Sequence, residues 1–368
     1  MKAVVCTDFE RAEVREVPTP SPGPEEVLIA VDRVQLSVTE CLLYRGERVA
    51  HYESVATRLA EGDARLFGHE FCGRIVEAGE AVDGFDVGDR VYAPEKIRCG
   101  SCPYCRSGRS GLCPETTSVG YDRPGALAEY VRLPTGPLRR LPEGVSDAEG
   151  AALQPMASAT LCAVDAEVGP GDTVAVLGTG VMGFQCGALA SSFGAEEVYA
   201  VDVRGRSLGI AADCGLTPVD ARAVDPVETI REATDGVGPD VVFEAVGGDQ
   251  DHASEGEDPI AWAFDLVRRG GTVVQVGHIS GELSVTPRVA RSKAIRWLNP
   301  RKGVVPLSPR TDTSELAARR VASGAVPIGE YVTHELPGLE SFEEAVEITV
   351  EKGRHDALGP AQLVVGDG

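Results

Sequence analysis

The chain has 368 residues, of which 43% are hydrophobic, and its formal net charge is −22. This length exceeds the usual size of one domain and predicts two, and no apolar run approaches the ~18–20 residues of a membrane span. The negative charge argues against a nucleic-acid partner, because phosphate binding needs a basic face.

The N-terminus runs directly from Met1 and Lys2 into a short apolar segment, without the features of a secretory signal, so we expect a cytoplasmic protein. Only five of the 35 basic residues are lysines. An acidic chain with few lysines resembles the proteins of extreme halophiles, and an arginine-rich mesophilic protein with an acidic surface is the alternative.

The first part of the chain is predicted to be rich in β-structure. Residues 1–40 alternate apolar and polar side chains in short pieces separated by prolines, and a second such stretch covers residues 71–91. Residues 45–66 are polar and mixed, and we interpret them as a helical insertion.

A cluster of four cysteines follows this β-rich region. It has the spacing Cys99-x2-Cys102-x2-Cys105-x7-Cys113 and lies in a segment (99–113) rich in glycine, serine and proline. Such a loop has little apolar core of its own, and a tetrahedral zinc bound by four thiolates would fix its conformation. Because disulfides are unusual in a cytoplasmic protein, we predict one structural zinc with no open coordination position and therefore no chemistry.

Near residue 150 the pattern changes. A helical stretch of small residues covers 151–168, and strand and helix patterns then alternate from Asp172 to about residue 277. This alternation predicts a doubly wound parallel sheet with right-handed crossovers.

A more polar texture returns after about residue 300, with predicted helices at Thr313–Ser323 and Ser341–Glu351. We therefore predict that one domain is discontinuous and consists of residues 1–155 and 297–368. A nucleotide-binding domain of residues 156–296 is inserted within it.

A glycine-rich turn joins the first strand and helix of the inserted domain. It has the pattern G-x-G-x-x-G and consists of Gly178, Thr179, Gly180, Val181, Met182 and Gly183. The first glycine permits the tight turn, the second lets the backbone approach a pyrophosphate and the third allows close helix packing, while the helix N-terminus faces the phosphates. A purely structural turn would carry the same glycines. The next strand ends on Asp202, 19 residues after Gly183, where an acid is able to bind the ribose 2′-hydroxyl, so we predict a dinucleotide site.

Two opposite signals bear on the choice of dinucleotide. Asp202 favours NAD because it repels a 2′-phosphate, whereas Arg204 and Arg206 follow immediately and are able to bind one. We expect NAD, with NADP as the alternative.

With these motifs the chain resembles the medium-chain zinc-dependent alcohol and polyol dehydrogenases. The shared features are Gly68-His69-Glu70-x2-Gly73, the four-cysteine lobe, Gly125-x-Leu127-Ala128-Glu129-Tyr130, the glycine turn, Asp240–Gly247 and Gly270–Val274. The resemblance spans nearly the whole chain. It implies an α/β plus β fold, in which a GroES-like β-barrel catalytic domain carries an inserted Rossmann domain with a doubly wound parallel sheet. It also implies NAD(P), places Val246, Gly277 and His278 at the cofactor, and implies a homodimer or homotetramer.

The chain departs from this family at the catalytic zinc, which is usually bound by a cysteine, a histidine and a third cysteine or glutamate. His69 matches the histidine, but Ser37 stands in the cysteine position and Gln154 stands in the position of the third ligand. Serine and glutamine are poor zinc ligands. Either His69 and Glu70 form a rearranged zinc site with help from Ser37, Gln154 or Cys41, or the catalytic zinc is absent and His69 is a general acid.

Thr39 matches the hydroxyl that, in the family, passes the substrate proton toward solvent. The alternative is a β-strand threonine that is bonded to nearby backbone.

Three functions are consistent with these residues. The first is an oxidoreductase that moves hydride between NAD(P) and a small secondary alcohol, polyol or sugar. The second is a reductase of activated C=C or C=O bonds that needs no catalytic zinc, which the altered ligands favour. The third is a non-catalytic nucleotide-binding protein on the same scaffold.

Overall fold

The computed structural model describes residues 1–94, 96–251, 256–300 and 304–366. The chain divides into two compact units, one comprising Met1–Ala157, Gly303–Ala322 and Ile328–Gly368 and the other comprising Ser158–Lys302 and Ser323–Pro327. We call them the outer unit and the inserted unit.

The N-terminal part of the chain consists mainly of strands, as the alternating pattern predicts. Its elements are β1 (Lys2–Asp8), β2 (Arg11–Glu16), β3 (Glu26–Gln35), α1 (Val38–Tyr44), α2 (Tyr52–Glu61), β4 (Glu70–Ala78), β5 (Arg90–Tyr92), α3 (Pro103–Arg106), a 3₁₀ helix (Ser110–Leu112), β6 (Tyr130–Pro134), β7 (Arg139–Arg140), α4 (Asp147–Ala151) and α5 (Leu153–Asp165). The predicted helical insertion is confirmed, since α2 lies within residues 45–66.

The middle of the chain alternates strands and helices. Its elements are β8 (Thr173–Leu177), α6 (Val181–Ser192), β9 (Glu197–Asp202), α7 (Gly205–Asp213), β10 (Thr217–Asp220), α8 (Pro226–Ala233), β11 (Val241–Glu244), β12 (Gly248–Asp249), α9 (Pro259–Leu266), β13 (Thr272–Gln275), β14 (Ile279–Ser280), α10 (Pro287–Lys293) and β15 (Arg296–Leu298).

The C-terminal part returns to the outer unit. Its elements are β16 (Pro306–Ser308), β17 (Thr311–Asp312), α11 (Thr313–Ala322), 3₁₀ helices at Ile328–Tyr331 and Leu339–Ser341, β18 (Glu335–Pro337), α12 (Phe342–Val350) and β19 (Gln362–Val364). The two helices predicted here from the sequence are confirmed as α11 and α12.

The outer unit is built around β3, the longest of its described strands. A seven-stranded sheet has the order β18-β19-β3-β4-β5-β7, with β6 also paired to β3, and β1 forms a hairpin with β2. Six of the ten β3 residues are buried, and four of these, including Val31, belong to an apolar core that also contains Phe71 and Leu363. The C-terminal β19 pairs with β3, so the N-terminal and C-terminal parts of the outer unit share one sheet.

The inserted unit contains a six-stranded parallel sheet with the order β10-β9-β8-β11-β13-β15. Numbered from β8 along this sheet, the strands follow the order 3-2-1-4-5-6 that is typical of dinucleotide-binding folds. The prediction of a doubly wound parallel sheet is confirmed. The strand order reverses between β8 and β11, and ligands bind such sheets at the carboxyl ends of the strands on either side of this point.

None of the helices in the described ranges is long and apolar enough to cross a membrane.

Two helical glycines of the inserted unit, one closely packed and one not, offer a matched test of how tightly α6 packs against the glycine-rich turn. A Cβ on Gly183 in α6 would stand 1.8 Å from the carbonyl oxygen of Gly178, whereas a Cβ on Gly209 in α7 would meet nothing within 4 Å. We expect Gly183→Ala to lower the free energy of unfolding by about 1–3 kcal/mol through overpacking. Gly209→Ala is expected to be neutral or to add up to ~1 kcal/mol, because alanine is the better helix former. Thermal unfolding of both variants measures this difference, and equal midpoints would contradict it.

Candidate active site and cofactor-binding turn

The glycine-rich turn has the geometry that a dinucleotide requires. Gly178 has φ +86°, which only glycine adopts without strain, and Gly183 packs directly against its carbonyl oxygen. Gly180 is the N-cap of α6, so no side chain caps the first amides of this helix. The first turn of the helix carries no acidic residue. The α6 amides and the positive end of its dipole therefore suit a pyrophosphate. Val181 and Met182 are half-buried in the first turn of this helix.

Asp202 closes this turn from the neighbouring strand. Its Oδ2 accepts hydrogen bonds from the amide and the hydroxyl of Thr179, at 2.7 and 2.9 Å. Its Oδ1 accepts from the amides of Val203 and Arg204, at 2.8 and 2.9 Å. The residue is only 9% exposed, so the carboxylate is a structural link between β9 and the turn.

A second segment predicted to contact the cofactor forms where the chain leaves β11 and β13. The short strands β12 and β14 pair in parallel, and Glu244 at the end of β11 accepts hydrogen bonds from the amides of Val246 and Gly247 at 2.9 and 2.8 Å. The Gly277 amide bonds to the carbonyl oxygen of Glu244 at 2.8 Å, and His278 is exposed beside it. The predicted residues Val246, Gly277 and His278 thus lie together at the carboxyl edge of the sheet.

The four cysteines of the lobe lie together as the spacing predicts. Their Sγ atoms are all within 4.8 Å of one another, with separations of 3.9 Å for Cys99–Cys105, 3.8 Å for Cys102–Cys113 and 3.5 Å for Cys99–Cys113. Four sulfurs at about 2.3 Å from a tetrahedral zinc would be separated by roughly 3.8 Å. The amide of Cys102 donates to Cys99 Sγ at 3.3 Å, and such amide bonds lower the pKa of Cys99 to about 7. The donor set therefore fits a structural zinc.

Tight backbone packing in the outer unit fixes the position of His69. Gly68 has φ +82°, and a Cβ there would stand 2.6 Å from the Leu127 amide. A Cβ on Gly125 would stand 1.8 Å from the carbonyl oxygen of Phe67. The segments that contain these glycines therefore pack against each other backbone to backbone, directly before His69.

The carboxylate of Glu40 holds the His69 ring. Glu40 is 1% exposed, and its Oε1 lies 2.7 Å from His69 Nδ1 and accepts from the His69 amide at 3.1 Å. Its other oxygen accepts from the amide of Ser37, which completes a capping box at the start of α1. An ionised acceptor at this distance places the proton on Nδ1 and leaves the Nε2 lone pair available for chemistry.

Further titratable groups surround this pair. Glu70 Oε1 lies 3.7 Å from His69 Nε2, and Glu70 Oε2 accepts from Gln35 at 2.6 Å. The hydroxyl of the buried Tyr121 lies 3.4 Å from His69 Nδ1, and Tyr121 also hydrogen bonds with Ser37. Tyr121 stacks on the ring of His51, with centroids 4.3 Å apart.

The environment determines the charge states of these groups. Burial by itself lowers the pKa of His69, but the charge and hydrogen bond of Glu40, with the charge of Glu70, outweigh it and raise this pKa to about 8. Burial raises the pKa of Glu70 to about 7. Burial and the charge of Glu40 also raise the pKa of Tyr121 well above its usual value, so its phenol stays protonated.

The residues around His69 do not fit the zinc site usual in the resembling family. Ser37 Oγ already accepts the Glu40 amide at 3.2 Å as a helix cap, and Gln154 is a half-buried neutral amide in the first turn of α5. Neither supplies the anionic donor that zinc favours. In the described part of the chain, the lobe is the single group of three or more His, Cys, Asp or Glu ligand atoms close enough to share a metal.

Two site residues were missed by the sequence analysis, namely Glu40 and Tyr121. The pattern Ser37-Val38-Thr39-Glu40 is a capping box, which would have placed a helix start here and Glu40 in its first turn. It also shows that the strand interpretation of Thr39 is wrong, because Thr39 is the second residue of α1. Tyr121 gave no sequence signal, since only the tertiary fold brings it to His69.

Comparison with known proteins agrees with this architecture. Residues 23–143 match the model of the alcohol dehydrogenase GroES-like domain, and residues 180–302 match the model of the zinc-binding dehydrogenases. The chain belongs to the medium-chain zinc-binding alcohol dehydrogenase family. The predicted GroES-like and Rossmann domains are thereby confirmed, and the protein is an NAD(P)-dependent dehydrogenase of small-molecule alcohols.

Individual relatives are similar along the whole chain. L-threonine 3-dehydrogenase of Stenotrophomonas maltophilia is 29% identical over 359 residues, which cover 96% of this chain and 97% of that protein. Among solved structures, the alcohol dehydrogenase of Thermus sp. ATN1 superimposes with a TM-score of 0.81 at 29% identity, covering 100% of both chains. A zinc-binding dehydrogenase of Sinorhizobium meliloti bound to NADP has the same TM-score and identity and covers 99% of this chain and 98% of its own.

The zinc content of the purified protein tests whether the four-cysteine lobe binds zinc and the residues around His69 do not. We expect the purified protein to contain one zinc per chain, because the lobe offers four thiolates and the surroundings of His69 offer no comparable set. Cys113→Ser should release this zinc and lower the thermal unfolding midpoint, whereas Cys214→Ser, outside the lobe, should keep it. Metal analysis that finds two zincs per chain would contradict the expectation.

Proposed function

We propose that this dehydrogenase oxidises the secondary hydroxyl group of a small alcohol, polyol or sugar without a catalytic zinc. The proposal depends on the 2.7 Å contact between the buried Glu40 and the half-buried His69, because this contact leaves His69 Nε2 as the base. We further propose that the lobe holds the structural zinc and that the glycine turn holds the dinucleotide. Their geometry supports both assignments.

The reaction needs an acceptor for the hydroxyl proton and an acceptor for the hydride. When bound, the nicotinamide supplies the hydride acceptor. His69 Nε2 takes the proton, and the ionised Glu40 stabilises the imidazolium that results. Ser37 and the protonated phenol of Tyr121 are neutral hydroxyl groups beside His69 and Glu40, and Thr39 follows Ser37 in α1. We assign to these three hydroxyl groups the orientation of the substrate oxygen.

The comparisons narrow the substrate class. The relative from Stenotrophomonas maltophilia is named for threonine, which carries a secondary hydroxyl. The similar structure from Thermus sp. ATN1 is named an alcohol dehydrogenase. We therefore place secondary alcohols first, with L-threonine among the compounds to be tried.

A dimer or tetramer is part of the proposal, supported by the edge strand β15, on which Trp297 is 36% exposed.

We also propose two domains, one of residues 1–155 and 297–368 and an inserted one of residues 156–296. The two compact units support this division. The net charge of −22 supports a protein that binds neither nucleic acid nor membrane surfaces, and a cytoplasmic location is also part of the proposal.

Turnover by protein with a measured zinc content tests the proposed function. Protein with one zinc per chain should reduce NAD or NADP with a secondary alcohol, as followed by absorbance of the reduced nicotinamide in low and high salt. Added zinc should not raise the rate. Activity that requires a second zinc would overturn the metal-free mechanism.

The same experiment separates the competing functions. Ser37 and Gln154 favour the reductase of activated C=C or C=O bonds as the second candidate, because such reductions proceed without a metal. Turnover of unsaturated ketones with reduced cofactor, and of no alcohol, would select it. Cofactor binding without turnover of any compound would select the non-catalytic protein.

The pH dependence tests the role of His69. Because its pKa is raised to about 8 and the neutral ring is the base, the rate of alcohol oxidation should rise with pH and level off above about pH 8. Ketone reduction needs the protonated ring and should therefore fall through the same range. Profiles of kcat in both directions that lack this opposite behaviour would contradict the assignment.

Glu40→Gln tests the pair without removing the helix cap, because glutamine also serves at this position of a capping box. Without the Glu40 charge, burial lowers the pKa of His69, so the midpoint of the oxidation profile should move below the ordinary 6.5. The plateau rate should fall by roughly 10²-fold or more. Glu53→Gln, an exposed residue of α2, is the control and should change neither quantity.

A further inference from the structure

We infer that His51 is a positioning residue, which together with the helix α2 that follows it holds the phenol of Tyr121 beside His69. The inference rests on the proposed function, in which the hydroxyl of Tyr121 orients the substrate oxygen. It gives the helical insertion at residues 45–66 a role in the reaction.

The rings of His51 and Tyr121 lie face to face. Their centroids are 4.3 Å apart and their planes differ by 12°. Tyr121 is only 4% exposed, and its hydroxyl lies 3.4 Å from His69 Nδ1. Stacked rings at this distance attract each other. The imidazole therefore covers one face of the phenol and limits the tilt of the ring, which determines where the hydroxyl lies.

The backbone of His51 adopts a conformation that is unusual for a residue with a side chain. Its φ of 72° and ψ of 4° lie in the left-handed region. His51 is the N-cap of α2, but its side chain makes no capping hydrogen bond. The imidazole is thus directed to Tyr121 rather than to the helix amides. Backbone strain of this kind is typical of residues that the surrounding fold holds in place for function.

Two further bonds connect this segment with Tyr121 and with the His51 ring. Arg58, in the last turn of α2, donates from Nη1 to the carbonyl oxygen of Tyr121 at 3.2 Å. Lys96 Nζ lies 3.3 Å from His51 Nε2, and this nitrogen accepts the bond because an ammonium group has only donors. The insertion therefore holds Tyr121 by its backbone and by its ring.

The helix α2 is itself fixed to the outer unit. Val55 is fully buried in the apolar core. The ring of Tyr52 stacks on Phe9, with centroids 5.4 Å apart and planes that differ by 3°. A helix attached in this way gives the His51 ring a firm support.

Kinetics of single and double variants test the positioning role. His51→Ala should lower kcat of alcohol oxidation about tenfold, because a small displacement of a group that orients the substrate is costly to the rate. The Kd of the nicotinamide cofactor should stay unchanged. His51→Phe keeps a ring in this place and should restore most of the rate. The double variant His51→Ala/Tyr121→Phe should be no slower than Tyr121→Phe alone, because both changes remove the same contribution.

Stability measurements separate positioning from structural support. Glycine adopts a φ of 72° without strain, so His51→Gly should unfold at a higher temperature than His51→Ala and yet show the same lowered kcat. Tyr52→Leu is the matched control. It removes the other ring stack of α2, and it should lower the unfolding temperature without changing kcat.

Two kinetic results would overturn the inference. One is an unchanged kcat in His51→Ala. The other is a double variant in which the two losses multiply, because His51 would then act independently of Tyr121. A kcat that follows the unfolding temperature across the His51 variants would likewise reduce His51 to a structural residue.

Proton NMR distinguishes failure of this inference from failure of the proposed function. The Tyr121 ring should shift the ring protons of His51 upfield, and Tyr121→Leu should remove this shift. Absence of the shift in the unaltered protein overturns the inference whatever the activity. If the shift is present but no alcohol is oxidised, the proposed function fails and the role of His51 in the reaction fails with it. If alcohol is oxidised and kcat is indifferent to His51, only the inference fails.

Discussion

The contact between Glu40 and His69 is the constraint on which the proposed chemistry depends. Each partner is held by a separate device: Glu40 by the capping box of α1, and His69 by the close packing of Gly68 against residues 126 and 127. Because Glu40 is buried, the low local dielectric strengthens its bond to the ring. The side chain that caps a helix is thus the one that sets the tautomer of the base.

The neutral residues Ser37 and Gln154, at two ligand positions of the family's catalytic zinc, are compatible with a metal-free pair of Glu40 and His69. A thiolate in place of Ser37 would bring further negative charge next to Glu40. Ser37 is neutral, so the protonated His69 pairs with Glu40 without another anion in direct contact with this carboxylate. The site thus combines a histidine and its carboxylate partner with the neutral hydroxyl of Ser37.

The cofactor turn shows how one residue type serves two purposes. An acid at the end of the second strand reads the ribose when its oxygens are free. Here the oxygens of Asp202 join Thr179 to Val203 and Arg204, so the acid also stabilises the turn.

The sequence by itself determined the parallel sheet, the glycine turn and the four-cysteine cluster. Strand and helix periodicity, the close packing of Gly183 on Gly178 and thiols within fifteen residues are local properties, so spacing along the chain is enough to predict them. Only the tertiary structure decided that Glu40 binds His69, 29 residues away, that Tyr121 joins them and that Asp202 bonds to Thr179. These contacts depend on which buried donors and acceptors meet when distant segments pack, and no spacing along the chain encodes that choice.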